Sequence, residues 1–388
     1  MKRKLAIKRK KKRFAIRITA LFLTLFIAMY ITIPTLGAVP AFASRSQSPV
    51  NMPENLREMV DEVYHILRVY SPEHYAMMQV FTTADRPNLP IGEYHIRLTY
   101  AAFDSSTGRL LPEYSRTMNE FIADFSCESA SIFGNLRSVS HYLAHQFFDV
   151  GADSSLGYII DGRYVAVYHL PSNKIVRTET SAITIPPHLR TQNWAAYTQS
   201  PGRANSLGAF GLLEEFMACY IHTRVVNNAT DYVINRFENE GFCAYLMSMY
   251  LFYALEFNIF YDFLFWITHH MLYLRDNHKN QFVQIVSNEE FITVFSYVYT
   301  NYRHLIYVTA PNNVQRVFDS LTSMRVTHQY DDGYFTFYQG SWRINSFNPT
   351  MAGVYDARNI MLELQTPRYT EMIDFLLSLA PSNRSLPR

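Results

Sequence analysis

Hydrophobic and polar positions along the chain alternate with two different periods. "PENLREMVDEVYHILRVY" carries apolar residues at helical spacing and predicts an amphipathic helix. "IGEYHIRLTYAAF" alternates enough to predict a strand, followed by the polar turn "DSSTGRLLPEY". From Thr117 to Phe148, Phe121, Phe125, Ile132, Leu136, Val139, Leu143 and Phe147 recur at intervals of three or four, skipping one turn at Ser129. That is one apolar stripe on a long helix, or on two helices with a break near Gly134.

"GYIIDGRYVAVYHL" predicts a β-hairpin, with Asp161-Gly162 a type I′ turn signal. The stretch from "IVRTETSAITIPP" to "SPGRANS" predicts a strand and then a long irregular loop. "LGAFGLLEEFMACYIHTRVV" predicts a helix, and residues 229–276 an aromatic helical block. Further helices follow, ending in "TEMIDFLLSLA", with one hairpin around "QYDDGYFTFYQGSW". The fold class expected is α+β, with a mainly helical C-terminal half.

The N-terminus changes the charge balance. Residues 1–17 hold ten Lys or Arg and no acid; an uncharged apolar run and the small residues Ala41 and Ala43 follow. Basic, apolar and A-x-A regions predict a signal peptide over residues 1–43, or an uncleaved anchor, and a secreted or cell-envelope protein. The chain has 35 basic and 33 acidic residues; without the leader 25 stand against 33, about −8. The basic character therefore belongs to the leader, and nucleic-acid binding is not expected. A membrane is expected only through the N-terminal segment if it stays uncleaved. Residues 44–53 read as a linker, 54–225 as an α+β region and 226–388 as a helical region. Cys127, Cys219 and Cys243 form no C-x-x-C pair, leaving one disulfide or buried free thiols open.

The candidate chemistry begins in "SVSHYLAHQFF". His141 and His145 stand four apart, so both can reach one metal ion from one helix face. Thirteen histidines in 388 residues give about 0.4 such pairs by chance, so the spacing alone equally fits a solvated face. Both lie on the side of the helix away from its apolar stripe. The helix "GLLEEFMACY" supplies two carboxylates, Glu214 and Glu215; Glu215 resembles the third ligand of gluzincins, a glutamate followed by a small residue three on and a tyrosine further along, here Ala218 and Tyr220. A carboxylate in so apolar a stretch needs a partner, a proton or a metal. Glu214 is expected to point about 100° off the site. Glu240 in "NEGFCAY" ranks below Glu215, His222 is a candidate outer partner, and the adjacent His269 and His270 diverge too much to form a ligand pair.

The order "SHYLAH", "IIDGRYV", "PPHLRTQNWAAY", "GAFGLLEEFMACY" resembles secreted zincin-like (gluzincin-type) proteins of Gram-positive bacteria over about residues 130–225. The resemblance implies a zincin-like fold, zinc as cofactor, and His141, His145 and Glu215 as metal ligands. It also implies a departure, because Tyr142 stands where such enzymes carry the glutamate that moves the proton of zinc-bound water. Tyrosine ionises near 10 and is a poor base at neutral pH. The protein expected is a metallopeptidase homologue with an impaired catalytic position, binding peptide or cell-wall material. The rival expectation is a helical cell-envelope or membrane-anchored interaction protein without metal, its aromatics serving as core.

Overall fold

The computed structural model describes residues 54–83, 96–97, 103–104, 109–110, 115–116, 132–148, 155–160, 163–240, 243–331, 334–347 and 357–381. The leader and residues 117–131 lie outside them. So do the turn residues Asp161 and Gly162, whereas Gly134, where a break was one of two expectations, lies inside an unbroken helix. Helices α1 (Glu54–Tyr70) and α2 (Pro72–Thr83) come first, then the two-residue strands β1 (Ile96–Arg97), β2 (Phe103–Asp104), β3 (Arg109–Leu110) and β4 (Ser115–Arg116). β2 and β3 pair antiparallel across the predicted polar turn, and β1 pairs with β4. Helix α3 (Ile132–Phe148) follows. Strands β5 (Ser155–Ile160) and β6 (Arg163–Tyr168) form the predicted hairpin, with Ile160 opposite Arg163.

The stretch expected to be a strand and a loop is helical instead. It holds α4 (Thr178–Ala182), α5 (Trp194–Thr198) and α6 (Arg203–Ser206), with 3₁₀ turns at Ser172–Lys174 and Pro187–Leu189. Hydroxyls override the β-branched pattern here. Thr178 Oγ1 donates to Ala204 O at 2.6 Å, and Ser181 Oγ donates to Thr178 O at 2.9 Å, anchoring a short turn to α6.

Helix α7 (Ala209–Asn228) is the centre of the molecule. All its residues except Arg224 and Asn228 are buried, the polar Glu214, Glu215 and His222 among them. It packs against α3 and α6, and against two later helices: α9 (Cys243–Asn277), reached through α8 (Thr230–Glu240), and α11 (Glu289–His304), reached through α10 (Lys279–Val286). α9 runs long because no Gly or Pro interrupts it. α11 starts where Asn288 accepts a bond from Phe291 N at 2.8 Å, with Glu289 and Glu290 in the first turn and Arg303 and His304 in the last.

Then come α12 (Ala310–Ser323), the strands β7 (Val326–Asp331), β8 (Tyr334–Gln339) and β9 (Trp342–Phe347), α13 (Arg358–Leu364) and α14 (Pro367–Ser378). The expected C-terminal hairpin is thus a three-stranded antiparallel meander, β7-β8-β9. The protein is mostly helical with small antiparallel sheets. One apolar core runs through it, from Val60 and Leu136 to Phe216, Trp266 and Tyr369. Among the described residues no helix is long and apolar enough to cross a membrane.

Candidate metal centre

The α3 stripe is buried as expected: Leu136, Val139 and Leu143 are at most 2 % exposed. The histidine face opposite it is not solvated. It lies on α7, and the His145 side chain is 1 % exposed and that of His141 16 %. Glu215 projects from α7 to meet them. His141 Nε2 and His145 Nε2 are 3.2 Å apart, and Glu215 Oε2 lies 3.6 Å and 3.4 Å from them. A tetrahedral zinc with bonds of about 2.0–2.2 Å holds its ligand atoms about 3.3–3.6 Å apart. Glu215 Oε2 is also buried without a hydrogen-bond partner. The two nitrogens and this oxygen therefore fit one metal ion, and the three residues form a group that could hold one.

Two glycines bring α6 and α7 to this geometry. Gly208 has φ +55°, and a Cβ there would lie 2.6 Å from Val176 O. A Cβ on Gly211 would lie 2.0 Å from Arg203 O. The bare backbone lets α6 close on α7, so that Arg203 Nη1 donates to Glu214 Oε1 at 3.0 Å.

Glu214 corrects an expectation. It does not turn away from the site but approaches His145 from its other side, with Oε1 2.9 Å from Nδ1. Two successive glutamates thus bracket one imidazole because the ring itself spans the 100° between them. Carboxylate support of this kind fixes a ligating imidazole and raises its basicity. Burial opposes a charge on His145, yet Glu215 and Glu214 outweigh it and push its pKa up to about 10. His141 goes the other way: burial, with His145 and His222 alongside, holds it well below the usual histidine value.

The outer partner of His141 is His222, as its position on α7 suggested. His141 Nδ1 and His222 Nδ1 are 3.1 Å apart, and His222 Nε2 is 2.7 Å from Glu256 Oε2. Glu256, on α9, also accepts from Arg137 Nε at 3.1 Å, Thr223 Oγ1 at 2.8 Å and Tyr302 OH at 3.1 Å. Burial would raise its pKa, but His222 and Arg137 hold the carboxyl down at about 2. Burial keeps His222 neutral, with its pKa lowered.

These states fix the tautomers. His222 Nε2–H donates to Glu256, so its Nδ1 is an acceptor and His141 Nδ1–H donates to it. His141 Nε2 is then a lone pair aimed at the cluster. Without a metal, protonated His145 donates to Glu214 from Nδ1 and to the cluster from Nε2.

Tyr142 is half-buried, its ring edge-on to His141 with centroids 5.6 Å apart. His269 and His270 diverge as expected, to Tyr369 and Thr184, and to Ser181. Glu240 ends α8. Cys219 is buried and in no disulfide. Sequence reasoning missed Glu256; its signal was a lone carboxylate in the apolar run "YLFYALEFNIF".

No protein-family model matches the chain, and no curated protein or solved structure is significantly similar to it.

Proposed function

We propose that this chain is an exported, zincin-like metallopeptidase homologue in which His141, His145 and Glu215 hold a zinc ion. The observation carrying the reading is the 3.2–3.6 Å triangle of His141 Nε2, His145 Nε2 and Glu215 Oε2, matched to tetrahedral zinc. Two neutral imidazoles and one carboxylate are the donor set of hydrolytic zinc sites, and both imidazoles have buried partners on their far nitrogens. Zinc, when bound, supplies a Lewis acid and lowers the pKa of a water on it.

The chain's own residues then limit the outcome. Tyr142 occupies the general-base position, and a phenol does not accept the proton at neutral pH. Glu214 is committed to His145 and Arg203 and does not replace that base. The protein accordingly binds peptide or cell-wall material and hydrolyses it weakly. Metal content and cleavage test this together. Wild type should hold one zinc per chain and His141→Ala none. Tyr142→Glu should raise metal-dependent peptide cleavage by about 10²-fold or more. Absence of zinc from wild type overturns the metal centre; wild-type cleavage equal to that of Tyr142→Glu overturns the impaired base.

A further inference from the structure

We propose a second, mutually exclusive metal site on the far side of His141, formed by His141 Nδ1, His222 Nδ1 and Cys219 Sγ and suited to a soft monovalent ion such as Cu(I). The inference rests on the zinc reading only for the exclusivity. His141, Cys219 and His222 bring one ligand atom each within 4.8 Å of one another. Cys219 and His222 lie three residues apart on α7, so one helix supplies two donors and His141 on α3 the third. The His222 ring is already held in the tautomer required: its Nε2–H is tied to Glu256 at 2.7 Å, which leaves Nδ1 as a lone pair.

The donor set selects the ion. One thiolate with two imidazoles is a soft set, preferred by Cu(I) over the hard divalent cations. The charges acting on Cys219 are the Glu256, Glu215 and Asp262 carboxylates and the Arg137 guanidinium, which is 3.1 Å from Glu256, so the preference for Cu(I) rests on the softness of the donor set. Entry is past His141, the only one of the three ligands that is not fully buried.

Binding is balanced by one proton. Cys219 S–H loses its proton to solvent as the S–Cu bond forms. The proton on His141 Nδ1 leaves and Nε2 takes one up, so His141 stays neutral. Nε2–H then faces Glu215 Oε2, 3.6 Å away, and shares that oxygen with the Nε2–H of protonated His145, 3.4 Å from it. The exclusivity follows, because a neutral imidazole has one lone pair. Zinc on Nε2 needs the proton on Nδ1, and Cu(I) on Nδ1 needs it on Nε2.

The full chain is titrated with Cu(I) against a chromogenic Cu(I) chelator, and the bound ion is examined by X-ray absorption. One Cu(I) per chain with one sulfur and two nitrogen neighbours is expected. Cys219→Ser, nearly isosteric, should weaken Cu(I) by more than the roughly 100-fold that loss of an outer partner costs. The same variant should keep its zinc, whereas Glu215→Ala should lose zinc and keep Cu(I). Zinc-loaded wild type should refuse Cu(I) until zinc is stripped. A copper spectrum without sulfur, or unchanged Cu(I) affinity in Cys219→Ser, overturns the site. Simultaneous binding of both ions overturns the exclusivity. Failure of wild type to hold zinc overturns the zinc reading and the exclusivity with it, while the copper spectrum still decides the Cu(I) site.

Discussion

His145 Nδ1 lies 2.9 Å from Glu214 Oε1, while its Nε2 lies 3.4 Å from Glu215 Oε2. One imidazole is thus held between two consecutive carboxylates of α7, one to orient it and one to share its ligand. Glu214→Gln keeps the shape and an acceptor oxygen but removes the charge that faces His145 and Arg203. Zinc affinity should fall about 10–100-fold, read by competition with a chelator. Unchanged affinity would mean that Glu214 merely fills space.

Metal should stabilise the fold measurably, because His141, His145 and Glu215 converge only when α3 and α7 are packed. Free zinc at about 100 times its dissociation constant adds about 2.7 kcal/mol to the unfolding free energy. The wild-type Tm should rise by several degrees on adding zinc, and that of Glu215→Ala should not move. Calorimetry of both proteins checks this.

The Glu256 cluster stabilises the fold whether or not a metal is bound, and it reaches the metal centre only through His222. Its carboxylate is 1 % exposed and holds Arg137, His222, Thr223 and Tyr302 together across α3, α7, α9 and α11. Glu256→Leu strands the Arg137 charge and should destabilise by about 3–5 kcal/mol in denaturant unfolding. Arg137→Met combined with Glu256→Leu should recover part of that loss.

The metal-free protein should be most stable near pH 6.5. His145 has its pKa raised to about 10 in the folded state, so the folded protein keeps a proton that the unfolded chain loses. That contribution is complete below about pH 6.5 and is lost as pH rises through about 10. His74 and His270 have pKa values lowered to about 3 by burial, so the unfolded chain takes up protons that the folded protein refuses. Their contribution is complete above about pH 6.5 and is lost as pH falls towards 3. Urea midpoints across pH 4–9 should trace this maximum, and zinc should flatten its alkaline side.

Gly211 sets the contact of α6 with α7. In Gly211→Ala the new Cβ would meet Arg203 O at 2.0 Å, so α6 must move and carry Arg203 away from Glu214. A loss of about 1–3 kcal/mol is expected from overpacking, with a matching fall in zinc affinity.

The elements were legible where one periodicity ruled. The α3 stripe, the β5–β6 hairpin and the helix α7 follow from their patterns. The shared face of His141 and His145 was legible in their spacing, while Glu215 was singled out by the resemblance, and the three come together in the structure. Residues 172–206 were illegible because the hydroxyls of Thr178 and Ser181 set their conformation, through bonds to backbone that no local pattern encodes. The approach of Glu214 to His145 was missed because a helical-wheel angle treats a neighbouring ring as a point. Glu256 was hidden by its distance, 119 residues from Arg137 in the chain.

The most direct measurement is anomalous diffraction at the zinc edge from crystals of the zinc-loaded full chain. One full-occupancy peak bonded at about 2.0–2.2 Å to His141 Nε2, His145 Nε2 and Glu215 Oε2 is predicted. A zinc-loaded crystal without a peak there, or with zinc bound only by surface side chains, would contradict the metal centre.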